Sequence, residues 1–180
     1  MPIANPADVV PSLSARNAAF AATKHLPQLQ LFPSSRTIII GCVDPRVDPA
    51  DLFGLDQGEA AILRNVGGRV TPGVIDELVM LRDVSRSSGG DMGPALNLVV
   101  LHHTDCGIKR IADKSSLATF FRVDEAHVDE LGIMDPRASV AIDIAALRAS
   151  KLPNVLVSGL VYDVATGRIE VVAPPALLHA

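Results

Sequence analysis

The sequence predicts an α/β protein: a central, mostly parallel β-sheet of about four parallel strands plus an antiparallel edge strand, flanked by helices. Three observations predict it. First, short apolar runs recur along the chain: RTIIIG (Arg36–Gly41), AAILRN (Ala60–Asn65), NLVVL (Asn97–Leu101) and NVLVSGL (Asn154–Leu160). Their near-continuous apolar character is that of strands buried on both faces. Second, helix-start signals stand between them, at Asp48-Pro49, Thr71-Pro72 and Asp135-Pro136. Third, the turn YDVATG (Tyr162–Gly167) leads into a last strand, Arg168–Val172, that returns antiparallel at the edge. The 180 residues suit one domain, 1–180, with chain enough for a sizeable core.

In order, Met1–Pro11 is proline-rich and reads as an extended arm. Ser12 or Ser14 caps a helix through the alanine-rich Ala15–Lys24. This arm and helix, about residues 1–25, are too short to bury themselves and are expected to pack on a partner subunit. Leu26–Pro33 carries two prolines and reads as loop. After the first strand, Asp48 caps a short helix over Pro49–Leu55, with Pro49 at its first position. Gly67–Gly68 turns the chain beyond the second strand. Thr71 and Pro72 then open a helix, Val74–Ser85, with Val74, Ile75, Leu78, Leu81 and Val84 mostly on one face.

Ser87–Pro94 (SSGGDMGP) is the most loop-like stretch. The third strand follows, and a helix begins at Gly107–Ile111. Lys114–Leu131 is mixed and helical in parts, ended by Gly132. Asp135 and Pro136 start a helix over Arg137–Ser150. The tail Ala173–Ala180 begins with two prolines and is expected to be loose.

Composition narrows the function. Charged residues are 20% and hydrophobic residues 48%, with a net charge of −4. That balance argues against nucleic acid or an anionic membrane surface as partner. Aromatics at 3%, with no Trp, argue against a base-stacking platform. The N-terminus lacks the charged-then-apolar pattern of a signal peptide. No apolar run reaches ~18 residues, so no membrane span is expected and the location inferred is cytoplasmic. Two cysteines in such a chain are expected as thiols or metal ligands, not as a disulfide.

Both cysteines stand at strand ends, where ligands bind in sheets of this kind. The first strand runs into Cys42, Asp44 and Arg46; the third runs into His102, His103, Asp105, Cys106 and Gly107. A zinc site wants thiolate and imidazole. His103-x-x-Cys106 supplies two ligands one tight turn apart, and Cys42 a third from a neighbouring strand. The fourth position is left for water or for Asp44, one Zn2+ per chain. An open fourth position is the catalytic pattern, in which zinc lowers the pKa of its water to ~7. Asp44 would then take a proton, orient the water, or swing onto the zinc and block it. Arg46, two residues on, would pair with Asp44 and decide between these. Pro45 stiffens the link and favours extended geometry at Asp44. The Gly107 N–H is placed to donate to an anionic product.

Singly these signals are weak. Either cysteine alone reads as readily as a small buried hydrophobe, and Asp44 with Arg46 as a plain ion pair. Together, C-x-D-x-R and H-x-x-C-G carry the metal reading. His102 should face away from the ligands, in the core or behind the site. Asp105 is expected to cap the helix near Gly107. His25, His127 and His179 lie in polar segments and are expected to be solvated. Gly67–Gly68 lacks the rest of a phosphate-loop fingerprint.

These residues resemble the β-class carbonic anhydrases. The resemblance covers roughly Ser14 to Pro174 and rests on CVDPRVDP (Cys42–Pro49), GEAAILRNVGG (Gly58–Gly68) and HHTDCG (His102–Gly107), continuing into VSGLVYDVATGRI. HHTDCG is similar to the shorter bacterial and fungal branch. The resemblance implies zinc held by Cys42, His103 and Cys106, a catalytic dyad of Asp44 and Arg46, and reversible hydration of carbon dioxide to bicarbonate and a proton. It also implies a β-carbonic-anhydrase-like fold in homodimers or homotetramers, an N-terminal helix embracing the neighbour. The chain departs from the pattern in three places. Pro45 stands where the family usually has a small residue, often Ser or Ala. Pro33 lies near where some members carry a substrate-contacting Gln. Without Trp, the bicarbonate regulatory site of some members is absent in its usual form.

The carbonic anhydrase reading predicts a small apolar cleft lined by Phe53 and Val66. A hydrolase of carbonyl sulfide or carbon disulfide on the same scaffold would use the same attack, and only the pocket would differ. A non-catalytic zinc protein, with Asp44 closing the site, is the third reading.

Overall fold

The computed structural model describes residues 5–179. It divides into an N-terminal unit ending at Leu31 and a main unit beginning at Phe32. In the N-terminal unit a short 3-10 turn, Pro6–Asp8, leads into helix α1, Val9–Thr23. The helix starts six residues earlier than its expected start at Ala15, and neither Ser12 nor Ser14 caps it; Asp8 holds the cap position. Pro11 sits in the first turn, where a missing N–H removes no helical hydrogen bond. The expected arm is therefore largely helical over its described part, and residues 1–4 lie outside the described residues. Helix α1 buries none of its residues.

The main unit is an α/β layer structure. Its strands are β1 (Thr37–Cys42), β2 (Ala60–Asn65), β3 (Asn97–His103), β4 (Leu156–Asp163) and β5 (Arg168–Leu177). They form one sheet in the order β2-β1-β3-β4-β5. The first four are parallel, and β5 returns antiparallel along β4. Helices α2 (Pro49–Phe53), α3 (Pro72–Ser87), α4 (Lys114–Phe121) and α5 (Pro136–Ala149) connect them. Their starts are those the sequence signals: Asp48, Thr71 and Asp135 each accept a backbone N–H of the first turn.

Ile38, Ile39 and Ile40 are all buried, as a strand covered on both faces requires. One core cluster joins Ile38, Ile40, Leu98 and Val100 to Leu78 of α3 and Leu147 of α5. A second surrounds the carboxyl ends of the strands and contains Cys42, Cys106, Ile108, Leu117 and Phe121.

Several boundaries differ from expectation, three of them near the sheet's carboxyl end and its edge. Strand β3 continues through His102 and His103. Strand β4 continues to Asp163, so the turn is shorter; Asp163 accepts the Ala165 and Gly167 N–H groups, and Gly167 takes φ +70°. The tail is not loose: β5 passes through Pro174 and Pro175 to Leu177, and Leu178 is buried. An edge strand tolerates prolines because one side of its backbone has no partner, and here the pairing slips beside Gly159, opposite them.

Candidate metal centre

Strands β1 and β3 are parallel neighbours, paired from Thr37↔Asn97 to Ile40↔Val100. Their carboxyl ends therefore emerge side by side, which brings Cys42 next to the His103–Cys106 turn. The Cys42 and Cys106 sulfurs are 3.8 Å apart. These sulfurs and a His103 nitrogen all lie within 4.8 Å of one another, and all three residues are buried.

The tautomer of His103 is set by its own neighbour. Nδ1 lies 2.8 Å from the Thr104 carbonyl, so Nδ1 carries the proton and Nε2 keeps a free lone pair. That Nε2 is buried and has no hydrogen-bond partner. An unpaired buried nitrogen is costly unless something binds it. Two thiolates on one tetrahedral zinc, each at ~2.3 Å, stand about 3.8 Å apart, the spacing found here. The donor set fits a soft divalent cation of the zinc type. Between the two thiols the hydrogen bond is unequal: it pulls Cys42 well below the usual thiol range against its burial, and with burial it pushes Cys106 up.

Asp44 is not one of the gathered ligands. Its backbone is extended, φ −54° and ψ 124°, as a residue before proline prefers. Its Oδ1 accepts the Arg46 backbone N–H at 2.9 Å. Arg46 Nε donates to Oδ1 at 3.0 Å and Nη2 to Oδ2 at 2.7 Å. This fork holds the Asp44 carboxyl down at about 2, despite the opposing effect of burial. The closed arrangement, with Asp44 on the metal position, is thus not the one observed.

Asp105 does not cap the following turn, Gly107–Arg110, which has no side-chain cap. Its backbone takes φ +51°, and its side chain turns to Arg46 instead. Arg64 is a functional neighbour that sequence reasoning missed. From β2 it donates to the Cys42 carbonyl and to the Asp44 carbonyl, each at 2.8 Å, and pairs with Asp48. Its signal was an arginine following the apolar run Ala60–Leu63.

Gly67 and Gly68 close the far side, with φ +85° and +66°. A Cβ on Gly68 would stand 2.8 Å from the Cys42 nitrogen and 3.0 Å from the Leu101 oxygen. Asn65 pins this turn by accepting the Arg69 N–H and donating to the Arg69 carbonyl. His102 points away from the ligands as expected, with Nε2 3.0 Å from Asp143. His25, His127 and His179 are exposed; His179 also reaches the Leu152 carbonyl at 3.0 Å.

An open cleft of about 460 Å³ lies over the cluster, walled by Val43, Asp44, Arg46, Val66, Gly107 and Ile108. Val66 and Gly107 are among the residues lining it; Phe53, at the end of α2, is not.

The fold and this cluster define an α/β protein with a candidate metal centre at the carboxyl ends of its sheet. The carbonic anhydrase family model matches residues 37–125. "Beta-carbonic anhydrase 1" of Mycobacterium tuberculosis is 30% identical over 157 residues, covering 81% of this chain and 87% of that protein. The crystal structure of carbonic anhydrase from Streptococcus mutans is 35% identical, with a TM-score of 0.66, covering 96% of this chain and 99% of that one. "Carbon disulfide hydrolase" of Saccharolobus solfataricus is 27% identical over 175 residues and covers 81% of each chain. The chain belongs to the β-carbonic anhydrase family.

Proposed function

We propose that this protein catalyses the reversible hydration of carbon dioxide to bicarbonate and a proton, at one zinc ion held by Cys42, His103 and Cys106. The observation that carries the reading is the unpartnered Nε2 of His103 facing two buried sulfurs, beside a carboxylate held in place by Arg46. When bound in such a donor set, zinc supplies a nucleophilic oxygen near neutral pH by lowering the pKa of water to ~7.

The chain's own residues do the rest. Asp44, ionised and fixed by Arg46, is the proton acceptor and orienting group beside the metal position. Because Arg46 occupies both carboxylate oxygens, Asp44 is kept off that position. Val43, Val66 and Ile108 give the cleft an apolar wall suited to a small linear uncharged molecule. Gly107, which lines the cleft, donates its N–H to the anionic product.

The chain forms one domain whose N-terminal helix α1, which buries nothing itself, packs on a partner subunit in a homodimer or homotetramer. Among the described residues no helix is long and apolar enough to cross a membrane. Both cysteines are free, consistent with work in the reducing cytoplasm.

Stopped-flow carbon dioxide hydration on zinc-verified protein, over a range of roughly pH 6.5 to 9 that brackets the expected value of ~7, tests the reading. Activity that rises with pH is the expected result. The likeness to a carbon disulfide hydrolase favours one second reading, hydrolysis of carbon disulfide or carbonyl sulfide on the same scaffold. Zinc-loaded protein inactive on carbon dioxide but active on these compounds would replace the first reading with the second.

A further inference from the structure

Behind the ligand cluster lies a buried polar network that the proposed reaction does not use. Arg69, His102 and Asp143 are 1%, 2% and 2% exposed. Asp143, on α5, accepts Arg69 Nε at 3.0 Å and Nη2 at 2.9 Å, the Val70 backbone N–H at 2.9 Å, and His102 Nε2 at 3.0 Å. The Arg69 guanidinium lies 4.9 Å from the centre of the Phe121 ring. One carboxylate thus gathers donors from β3 and from the turn after β2.

Stability does not explain such an arrangement. Burying charges costs desolvation that their attraction roughly offsets, and apolar residues of similar volume would hold α5 against the sheet as well. The network's distinctive product is geometry. His102 immediately precedes His103. Arg69 and Val70 immediately follow Gly67–Gly68, the turn pressed against the Cys42 nitrogen. Asp143 therefore reaches His103 through His102, and Cys42 through Arg69 and then Gly68.

A small gap of about 10 Å³ is lined by Arg69, His102, His103, Cys106 and Ser139, and Arg69 Nη1 is buried with no partner. Hydrogen-bonded neighbours of metal-ligating side chains orient them.

We propose that Asp143 is a positioning residue of the metal centre, fixing His103 through His102 and Cys42 through the Arg69–Val70 turn, so that its loss loosens the ion. The proposal rests on the reading that Cys42, His103 and Cys106 hold zinc, and on no other part of the proposed function.

The test compares zinc-loaded wild type with Asp143→Asn, His102→Leu, His102→Gln and Leu147→Ala. Zinc loss to a competing chelator and the visible absorption of cobalt-substituted protein are the readouts. Gln at 102 keeps an N–H for Asp143, and Leu removes it. Leu147 is fully buried on the same helix but outside the network, so its truncation reports a purely structural loss. Asp143→Asn and His102→Leu should weaken zinc binding about 10- to 100-fold and alter the cobalt bands, with His102→Gln near wild type. Leu147→Ala should lower the melting temperature and leave zinc affinity unchanged. Wild-type zinc binding and cobalt bands in His102→Leu would overturn the proposal, as would an equal loss of zinc in Leu147→Ala. If Asp143→Asn does not fold, the Leu and Gln pair at 102 decides. A wild type that takes up no stoichiometric zinc overturns the metal reading together with the proposal, whereas a zinc-loaded wild type matched by His102→Leu overturns the proposal alone.

Discussion

Arg46 and Asp105 tie together the ends of two separate strands: Nη1 donates to Asp105 Oδ2 at 2.9 Å, and Nη2 to the Asp105 carbonyl at 3.0 Å. The left-handed backbone of Asp105, φ +51°, turns that carbonyl toward the guanidinium. Arg46 therefore grips Asp44 while being gripped from the β3 side. The same guanidinium thus bridges the Asp44 carboxylate and Asp105.

Replacing Asp105 with Asn removes the charge that holds Arg46 from behind. The pair is solvent-exposed, so the fold should be little affected. Turnover should fall roughly tenfold, as expected for a misplaced positioning group, with an unchanged thermal melt. Wild-type turnover would show that Arg46 needs only Asp44.

Asp44→Asn keeps the shape of the side chain and loses its charge and basicity. Zinc content should stay stoichiometric by elemental analysis. Carbon dioxide hydration should drop roughly 10²- to 10⁴-fold, the range for loss of a positioned general base. Full activity would remove Asp44 from the chemistry.

Gly68→Ala tests how tightly the turn is pressed on Cys42. The residue sits at φ +66°, and the added methyl would meet three backbone atoms at 3.0 Å or less. Left-handed strain alone costs ~1–3 kcal/mol, and here the neighbours are main chain and cannot swing aside. At roughly 2–4 °C per kcal/mol for a chain of this size, the melting temperature should fall by at least several degrees. Weakened zinc binding should accompany it. A variant as stable as wild type would mean the turn can move.

Asp143 predicts an acid limit. Burial by itself would raise its pKa, but the hydrogen bonds from His102 and Arg69 outweigh it, and the folded value lies below the ordinary one. The unfolded chain therefore binds its proton first as pH falls. The stability Asp143 contributes is complete above about pH 4, the ordinary carboxylate value, and is lost as pH drops through the lower folded value. Denaturant unfolding of wild type and Asp143→Asn between roughly pH 3 and 7 should show the gap closing only at the acid end. A gap that closes near neutral pH would contradict the assignment.

Much of this was legible in the residues. The strands were visible because buried parallel strands are written as apolar runs, and the candidate metal-ligating group because both cysteines of the chain stand at strand ends. Helix starts were legible at Asp48, Thr71 and Asp135, where capping chemistry is local. Long-range pairing was not. Asp105 looks like a cap from its spacing, because nothing in one dimension says that Arg46 will be within reach. Asp143 looks like an ordinary polar position on a helix until folding brings Arg69 and His102 to it. The run of β5 past Pro174 and Pro175 depended on its edge position, which no local window records. The early start of α1 turned on Pro11 falling in a first turn rather than before one.

Cys42 and His103 are strand residues, held by the sheet ladder opposite Asn65 of β2 and Tyr162 of β4, whereas Val43, Val66 and Ile108 stand beyond strand ends on connecting segments. Mutations in that rim can reshape what the cleft admits while the ladder, and with it the spacing of the donor atoms, stays as it was. The candidate donor atoms and the shape of the opening above them are thus carried on different parts of the chain, so that either can change in sequence without the other.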